Sequence, residues 1–311
     1  QMKAVDDFIP KMINQLTMRI AVLKKEADTL APEFNNDVQK IQHLLRIIIS
    51  VVSEFKSLAK SVDDCMEDTK LHVSPRSFEM YNSFSKKLRD SQPDFYTDAF
   101  KERIKTAIDE SKCIMLFDFM SHVAFNQVFI ESHATLFKET SKDLTVMVHE
   151  YIKDVMITIV SKQLKDKYPP LMDATKRVVV EFLDKQKGAL ENVIEQLINS
   201  EAFIFTQQDD YASRVKLEAP STENEVDVGI TFMQKALKVY SDIAISRFGD
   251  YVPMQCHLFL ITSVYKHLHE YVDFEKMSAF LVDESSIVGK RNEINKSLDR
   301  FTNALDILKS L

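Results

Sequence analysis

The hydrophobic pattern of residues 1–60 predicts two long amphipathic helices. In the first, apolar residues recur every three or four positions, at Val5, Ile9, Ile13, Leu16, Ile20, Leu23, Ala27 and Leu30. That spacing keeps one side of a helix apolar. Pro32 ends this helix, because proline lacks an amide hydrogen and clashes with the preceding turn. The second helix carries its apolar stripe from Val38 to Ala59.

The same spacing predicts three further helices before residue 206. One covers residues 74–113, with Ser74 as its N-cap and a break at Pro93, since the residue before a proline is pushed out of the helical region. The next covers 121–165, and another runs from 169 to about 205.

The C-terminal part of the chain predicts two more helices. The first spans 233–272 and is expected to be kinked or split at Pro253. The second, at 294–308, follows an acidic turn at 283–286. The predicted fold class is all-α, and helices of about 35 to 45 residues, each roughly 50 to 70 Å long, predict an elongated body.

Residues 207–227 show no apolar period. They contain six acidic and two basic residues, and the segment is longer than most connections in compact domains. We expect it to be a flexible loop that contacts a target. The candidate contact positions are Asp209, Tyr211, Ser213 and Val215, together with the two basic residues Arg214 and Lys216.

Composition excludes several classes of function. The chain has 4 Gly and 8 Pro, and Gly188, Gly229, Gly249 and Gly289 are all isolated, so no glycine-rich phosphate loop is present. A net charge of -7 disfavours nucleic acid as a partner. No apolar run approaches the roughly 20 residues of a transmembrane helix, and no secretory signal is visible. We expect a cytoplasmic protein that is either free or peripheral at membranes.

No constellation of residues predicts catalysis, a metal or a cofactor. Cys65, Cys113 and Cys256 are odd in number and widely spaced, which argues against both a disulfide framework and a zinc site. His267 and His269 would point about 200° apart on a helix and cannot share a metal. We therefore expect that this chain is not an enzyme and binds neither a cofactor nor a metal.

Large apolar side chains at the predicted helix ends are the remaining signal. An isolated helical bundle has little to bury them against, and exposed apolar patches mark contact sites. The alternative is that they cap the core locally. The predicted contact residues for self-association are Leu197, Phe203, Phe205, Phe117 and Phe119.

Several short motifs, in this order along the chain, resemble the dynamin superfamily. FIPKMI at 8–13 is similar to the start of the family's middle region, and FDFM at 117–120 is similar to Mx proteins and plant dynamin-related proteins of Mx type. RFGDYVPM at 247–254, LVDESS at 281–286 and LDRFTNAL at 298–305 resemble the GTPase effector region. The resemblance covers nearly the whole chain.

The resemblance implies an elongated antiparallel four-helix stalk whose terminal helices pack together at one end. It divides the chain into a middle region at 1–206, the target-binding loop at 207–227 and the effector region at 228–311. The implied function is self-assembly into dimers and larger oligomers, coupled to GTP hydrolysis in a GTPase domain that these residues do not contain. The role of such a protein would be membrane remodelling or antiviral-type target binding, with a membrane or a protein target contacting the loop.

A helical tether or scaffold unrelated to GTPases is the alternative. Both hypotheses predict long amphipathic helices, but they differ at the ends of the chain. The stalk requires residues 287–311 to lie beside residues 1–30, whereas a tether would leave its ends apart.

Overall fold

The fold is all-α, as the sequence predicts. The computed structural model describes residues 2–29, 34, 36–60, 69–111, 122–165, 167–216, 225–281 and 285–310. Within these ranges the chain forms helices and short connections, with no β-strand. No helix in these ranges is long and apolar enough to cross a membrane.

The helices are labelled in chain order. They are α1 (Met2–Thr29), α2 (Asp37–Lys60), α3 (Val73–Asp90), α4 (Asp98–Ser111), α5 (His122–Leu164), α6 (Pro169–Ser200), α7 (Tyr211–Val215), α8 (Glu225–Cys256), α9 (Ser263–Tyr271), α10 (Phe274–Ser278) and α11 (Ser285–Ser310). A 3₁₀ turn at Thr69–Leu71 precedes α3, and a π-helical segment at His257–Thr262 joins α8 to α9.

Most of the predicted helices are confirmed, including the break near Pro93 that separates α3 from α4. The predicted N-cap at Ser74 is displaced by two residues, because His72 occupies the N-cap position of α3. The last helix is longer than predicted, since α11 begins at Ser285, inside the expected turn. The pattern also missed α7, because five residues are too few to show a helical period.

Of the two outcomes predicted at Pro253, a kink or a split, the split does not occur, because α8 continues through this proline. Proline cannot donate the amide hydrogen bond to the carbonyl four residues earlier, which here belongs to Gly249. That carbonyl accepts a hydrogen bond from the Ser85 hydroxyl of α3 at 3.2 Å instead. A Cβ atom on Gly249 would lie 3.4 Å from the Ser85 Oγ atom, so α3 lies in van der Waals range of this position.

The chain divides into two compact units, described separately below. Unit 1 comprises Gln1–Val51, Ile157–Val178 and His269–Leu311. Within it α1 packs against α11, so the first and last helices of the chain lie side by side. A second contact joins α2 to the residue before α6, where the His43 Nε2 atom lies 2.9 Å from the Tyr168 hydroxyl. Burial lowers the pKa of His43, with a further lowering by Arg46 and Lys167.

Unit 2 comprises Val52–Met156 and Val179–Leu268. Its core lies between α5 and α8, and α3, α4 and α7 also pack against α8. The Phe137 ring of α5 stacks on the Phe248 ring of α8 with 4.1 Å between centroids. Aromatic side chains of α5 and α8 therefore form the centre of this unit.

A buried histidine joins the same two helices. The His133 side chain is fully buried, with its Nδ1 atom 3.0 Å from the Phe129 carbonyl and its Nε2 atom 2.6 Å from the Ser241 hydroxyl. Its ring stacks on Phe129 with 4.5 Å between centroids. Burial lowers the pKa of His133 to about 4, so the side chain is neutral near pH 7.

Candidate functional site: an exposed aromatic pair after helix α6

Two phenylalanines lie exposed just beyond the C-terminal end of α6. The side chain of Phe203 is 71% exposed and that of Phe205 is 50% exposed. Their rings are stacked on each other, with centroids 5.9 Å apart and an angle of 21° between planes. Leu197, one turn before the end of α6, is half-buried. This aromatic pair is an apolar feature that the unit does not bury.

The backbone of the segment that carries the pair is fixed by hydrogen bonds. The amide of Phe203 donates to the Ser200 carbonyl at 3.1 Å, which continues the turn at the end of α6. The amide of Phe205 donates to the Tyr240 hydroxyl at 3.2 Å, and the Arg247 guanidinium donates to the Phe205 carbonyl at 3.0 Å. Both main-chain groups of Phe205 are therefore bound to side chains of α8.

Glu201, Tyr240 and Arg247 form a polar cluster beneath this segment. The Arg247 Nη2 atom donates to the Glu201 Oε2 atom at 2.8 Å and to the Tyr240 hydroxyl at 3.0 Å. The Tyr240 hydroxyl in turn lies 3.3 Å from the same Glu201 oxygen. Burial raises the pKa of Glu201, and Arg247 beside it opposes that rise.

Aromatic packing holds the tyrosine of the cluster in place. The side chain of Tyr240 is 1% exposed, and its ring makes edge contacts with Phe129 and Phe125, at 4.9 Å and 6.0 Å between centroids. The Arg247 guanidinium carbon lies 5.5 Å from the Tyr240 ring centroid. The chain thus presents two apolar rings to solvent on a backbone anchored to the core. Such an arrangement is suited to binding a protein surface, because little conformational entropy remains to be lost.

The basic residues of the predicted target loop differ in their surroundings. The Arg214 guanidinium on α7 lies 3.5 Å from the Asp242 carboxylate on α8 and 3.8 Å from Asp210. Asp242 also accepts a hydrogen bond from Lys238 at 2.6 Å. The side chain of Lys216 is exposed, while its carbonyl accepts a hydrogen bond from Lys235.

The other predicted loop positions range from exposed to buried. Asp209 and Ser213 are exposed, Tyr211 is half-buried and Val215 is buried against the unit. The first part of the loop, through residue 216, therefore docks on α8 by way of α7. Phe117 and Phe119, the other two predicted contact residues, lie outside the described residues.

The sequence pattern did not reveal the polar cluster. Arg247 belongs to the RFGDYVPM motif at 247–254, so the motif marked the position without indicating its partner. Glu201 and Tyr240 are far from each other in the chain, and neither breaks the periodicity of its helix. Only the docking of the segment after α6 on α8 brings Glu201 to Tyr240 and Arg247.

Comparison with known proteins identifies the family. The model of the dynamin central region matches residues 1–219, and the model of the dynamin GTPase effector domain matches residues 226–311. The interferon-induced GTP-binding protein MxE of Danio rerio is 20% identical, and the interferon-induced GTP-binding protein Mx of Ctenopharyngodon idella is 19% identical. Each alignment covers 96% of this chain and 49% of the relative.

A third relative, the interferon-induced GTP-binding protein Mx of Dicentrarchus labrax, is 24% identical over 44% of this chain and 25% of its own length. The chain spans about half the length of the first two relatives. The family models account for both of its parts, and the chain therefore belongs to the dynamin superfamily, of which it carries the stalk region: the central region followed by the GTPase effector domain.

Proposed function

We propose that this chain is the assembly module of a dynamin-like large GTPase, and that it associates with itself through the aromatic pair Phe203 and Phe205. Its second task is to couple the assembled state to a GTPase domain. The family assignment supports the general role. The exposed pair, fixed to α8 through Glu201, Tyr240 and Arg247, is the observation that carries the proposal.

The packing of the terminal helices supports the coupling role. Because α1 contacts α11, the first and last helices of the chain lie side by side in unit 1. A GTPase domain joined to α1 or to α11 would be attached to a helix that packs against the other, so a displacement of one helix would shift the other. A tether with separated ends does not predict this contact.

The target-binding role is assigned to the segment 207–227. Its first part is docked on α8, where Asp209, Ser213 and Lys216 are exposed and available for contact. The relatives are named as interferon-induced GTP-binding proteins, which favours an antiviral-type role in which this segment contacts a protein target. Its excess of acidic residues disfavours an anionic membrane as that target.

The test of self-association is the mass of the chain as a function of concentration, measured by light scattering on a sizing column. We expect a mass that rises with concentration. Phe203→Asp should weaken dimerisation by at least about tenfold, because a charge replaces a ring that becomes buried in the contact. Phe78→Asp is the matched control, since Phe78 on α3 is 65% exposed and lies outside the pair.

Two results would contradict the proposal. If the wild-type chain stays monomeric at the highest concentration, self-association is not its function. If Phe203→Asp and Phe78→Asp have the same mass profile as the wild type, the chain associates through another surface. Circular dichroism of each variant excludes unfolding as the cause of a change.

A further inference from the structure

A groove in unit 2 runs between α5 and α6. Its volume is about 390 Å³. Lys138 and Lys142 line it from α5, Glu191 and Glu195 line it from α6, and its floor includes Ile194 and Ile198. One wall is therefore basic, the other is acidic and the floor is apolar.

The two charged walls are not joined to each other. In the part of the chain that the structure describes, no ion pair within 4.0 Å links a lysine of the α5 wall to a glutamate of the α6 wall. Glu191 instead lies 4.0 Å from Lys187 on its own helix. The lysines and glutamates thus face one groove with their charges available for another molecule.

The groove leads towards the aromatic pair. A smaller cavity of about 100 Å³ shares Ile198 with it, and Phe129, Ile130 and Ala202 also line this cavity. Phe203 is the residue that follows Ala202. An exposed aromatic pair and an unfilled groove therefore adjoin on the same pair of helices.

The two helices are antiparallel, and this determines which residues of α5 lie opposite which residues of α6. The His149 Nε2 atom lies 3.0 Å from the Asp184 Oδ1 atom, while Phe129 shares a cavity with Ile198. Residue numbers therefore fall along α5 in the direction in which they rise along α6. The lysines of the basic wall and the glutamates of the acidic wall consequently lie opposite each other, at the same height along the helix axes.

The charges of the walls select one symmetric packing of two copies. A two-fold axis running across the groove would place α5 on α5, and lysine would face lysine. An axis running along the groove places α5 of each copy on α6 of the other, and lysine faces glutamate. Like charges in direct opposition are unfavourable, so only the second arrangement is electrostatically complementary.

We propose that a second copy of this chain binds in the α5–α6 groove about a two-fold axis along the groove. In this dimer Lys138 and Lys142 of each copy face Glu191 and Glu195 of the other. A rotation about this axis preserves the level along the helices, so Phe203 of one copy approaches the Phe129 end of the groove in the other. The inference rests on the proposed function, because it specifies the partner and the geometry of self-association.

Charge reversal in the 311-residue chain tests the inference. The basic-wall variant is Lys138→Glu with Lys142→Glu, and the acidic-wall variant is Glu191→Lys with Glu195→Lys. Each alone should weaken dimerisation by at least about tenfold, because every facing pair becomes repulsive. An equimolar mixture should recover association, measured as energy transfer between donor-labelled and acceptor-labelled chains.

The matched control is Lys86→Glu with Lys101→Glu, which makes the same change in net charge at two exposed positions outside the groove. It should associate like the wild type. The inference is overturned if both wall variants associate normally, or if both are weakened and their mixture is not restored. A wild-type chain that never dimerises would instead refute the proposed function. If the wild type and the control variant dimerise, the results for the wall variants test only the groove.

Discussion

Glu195 and Glu201 lie close together in the sequence at the C-terminal end of α6, yet their surroundings are opposite. Glu201 has a side chain that is 12% exposed and accepts a hydrogen bond from Arg247 at 2.8 Å. Glu195 is exposed and lines the α5–α6 groove facing lysines that it does not reach. Glu201 thus stabilises the fold, whereas Glu195 contributes a charge to the surface.

The difference concerns whether a polar group is satisfied within the chain. In the cluster beneath the aromatic pair, Glu201, Tyr240 and Arg247 make hydrogen bonds to one another. A buried polar group without a partner would cost about 1 to 3 kcal/mol. Along the groove the charges are hydrated, so the fold does not require them to pair. The buried, hydrogen-bonded groups should therefore control the stability of the fold. The exposed charges of the groove should control association.

The largest expected effect on stability comes from His133, a member of the buried region. The native state keeps this side chain neutral down to about pH 4, whereas the unfolded chain binds the proton near pH 6.5. Between these values the unfolded state binds more protons, so stability falls as the pH is lowered. The total loss from pH 7 to pH 4 should be about 3 kcal/mol, measured by urea unfolding at each pH.

The control for this prediction is His133→Gln, which keeps hydrogen-bonding capacity and removes the titration. Carboxylates titrate in both proteins, so the quantity to compare is the difference between the two pH profiles. That difference should increase as the pH falls below about 6.5 and level off near pH 4. Parallel profiles would show that His133 is solvated or protonated in the native state.

A smaller effect is expected from breaking the polar cluster. Glu201→Ala removes an acceptor from the Arg247 guanidinium, which keeps the Phe205 carbonyl and the Tyr240 hydroxyl as partners. The free energy of unfolding should fall by about 2 kcal/mol, a value reduced from that of a fully buried pair because Arg247 is 32% exposed.

Glu195→Ala, near the end of α6, is the matched control and should change the free energy of unfolding by less than about 0.5 kcal/mol. A double-mutant cycle between Glu201→Ala and Arg247→Ala isolates their interaction in urea unfolding, and a coupling energy of about 1 kcal/mol or more is expected. Equal costs for Glu195→Ala and Glu201→Ala would remove the distinction between the two glutamates.

Most of the fold could be predicted from the sequence, because apolar spacing records which side of a helix is buried. The pattern identified the long helices and the break between α3 and α4. It did not predict that α8 continues through Pro253, where the free Gly249 carbonyl accepts a hydrogen bond from Ser85, a residue of another helix. It failed again at α7, whose single turn carries no period.

The candidate site was predicted only in part. Phe203 and Phe205 could be selected because they are large apolar residues at the end of a predicted helix, and both are exposed. Their anchors could not be selected, since Glu201 and Arg247 are typical surface residues in sequence. The charged walls of the groove were missed for the same reason: their opposition exists only once α5 and α6 are packed.

The smallest effect on stability is expected at the groove, and it separates a surface function from a structural one. Lys138→Ala with Lys142→Ala should alter the free energy of unfolding by less than about 0.5 kcal/mol in dilute protein, because both side chains are exposed. Association stabilises the native state by mass action, so the wild-type unfolding midpoint should rise with protein concentration. The midpoint of the double variant should rise less. A loss above about 1 kcal/mol in dilute protein would instead mean that the lysines stabilise the single chain, and the groove charges would then belong with the Glu201 cluster.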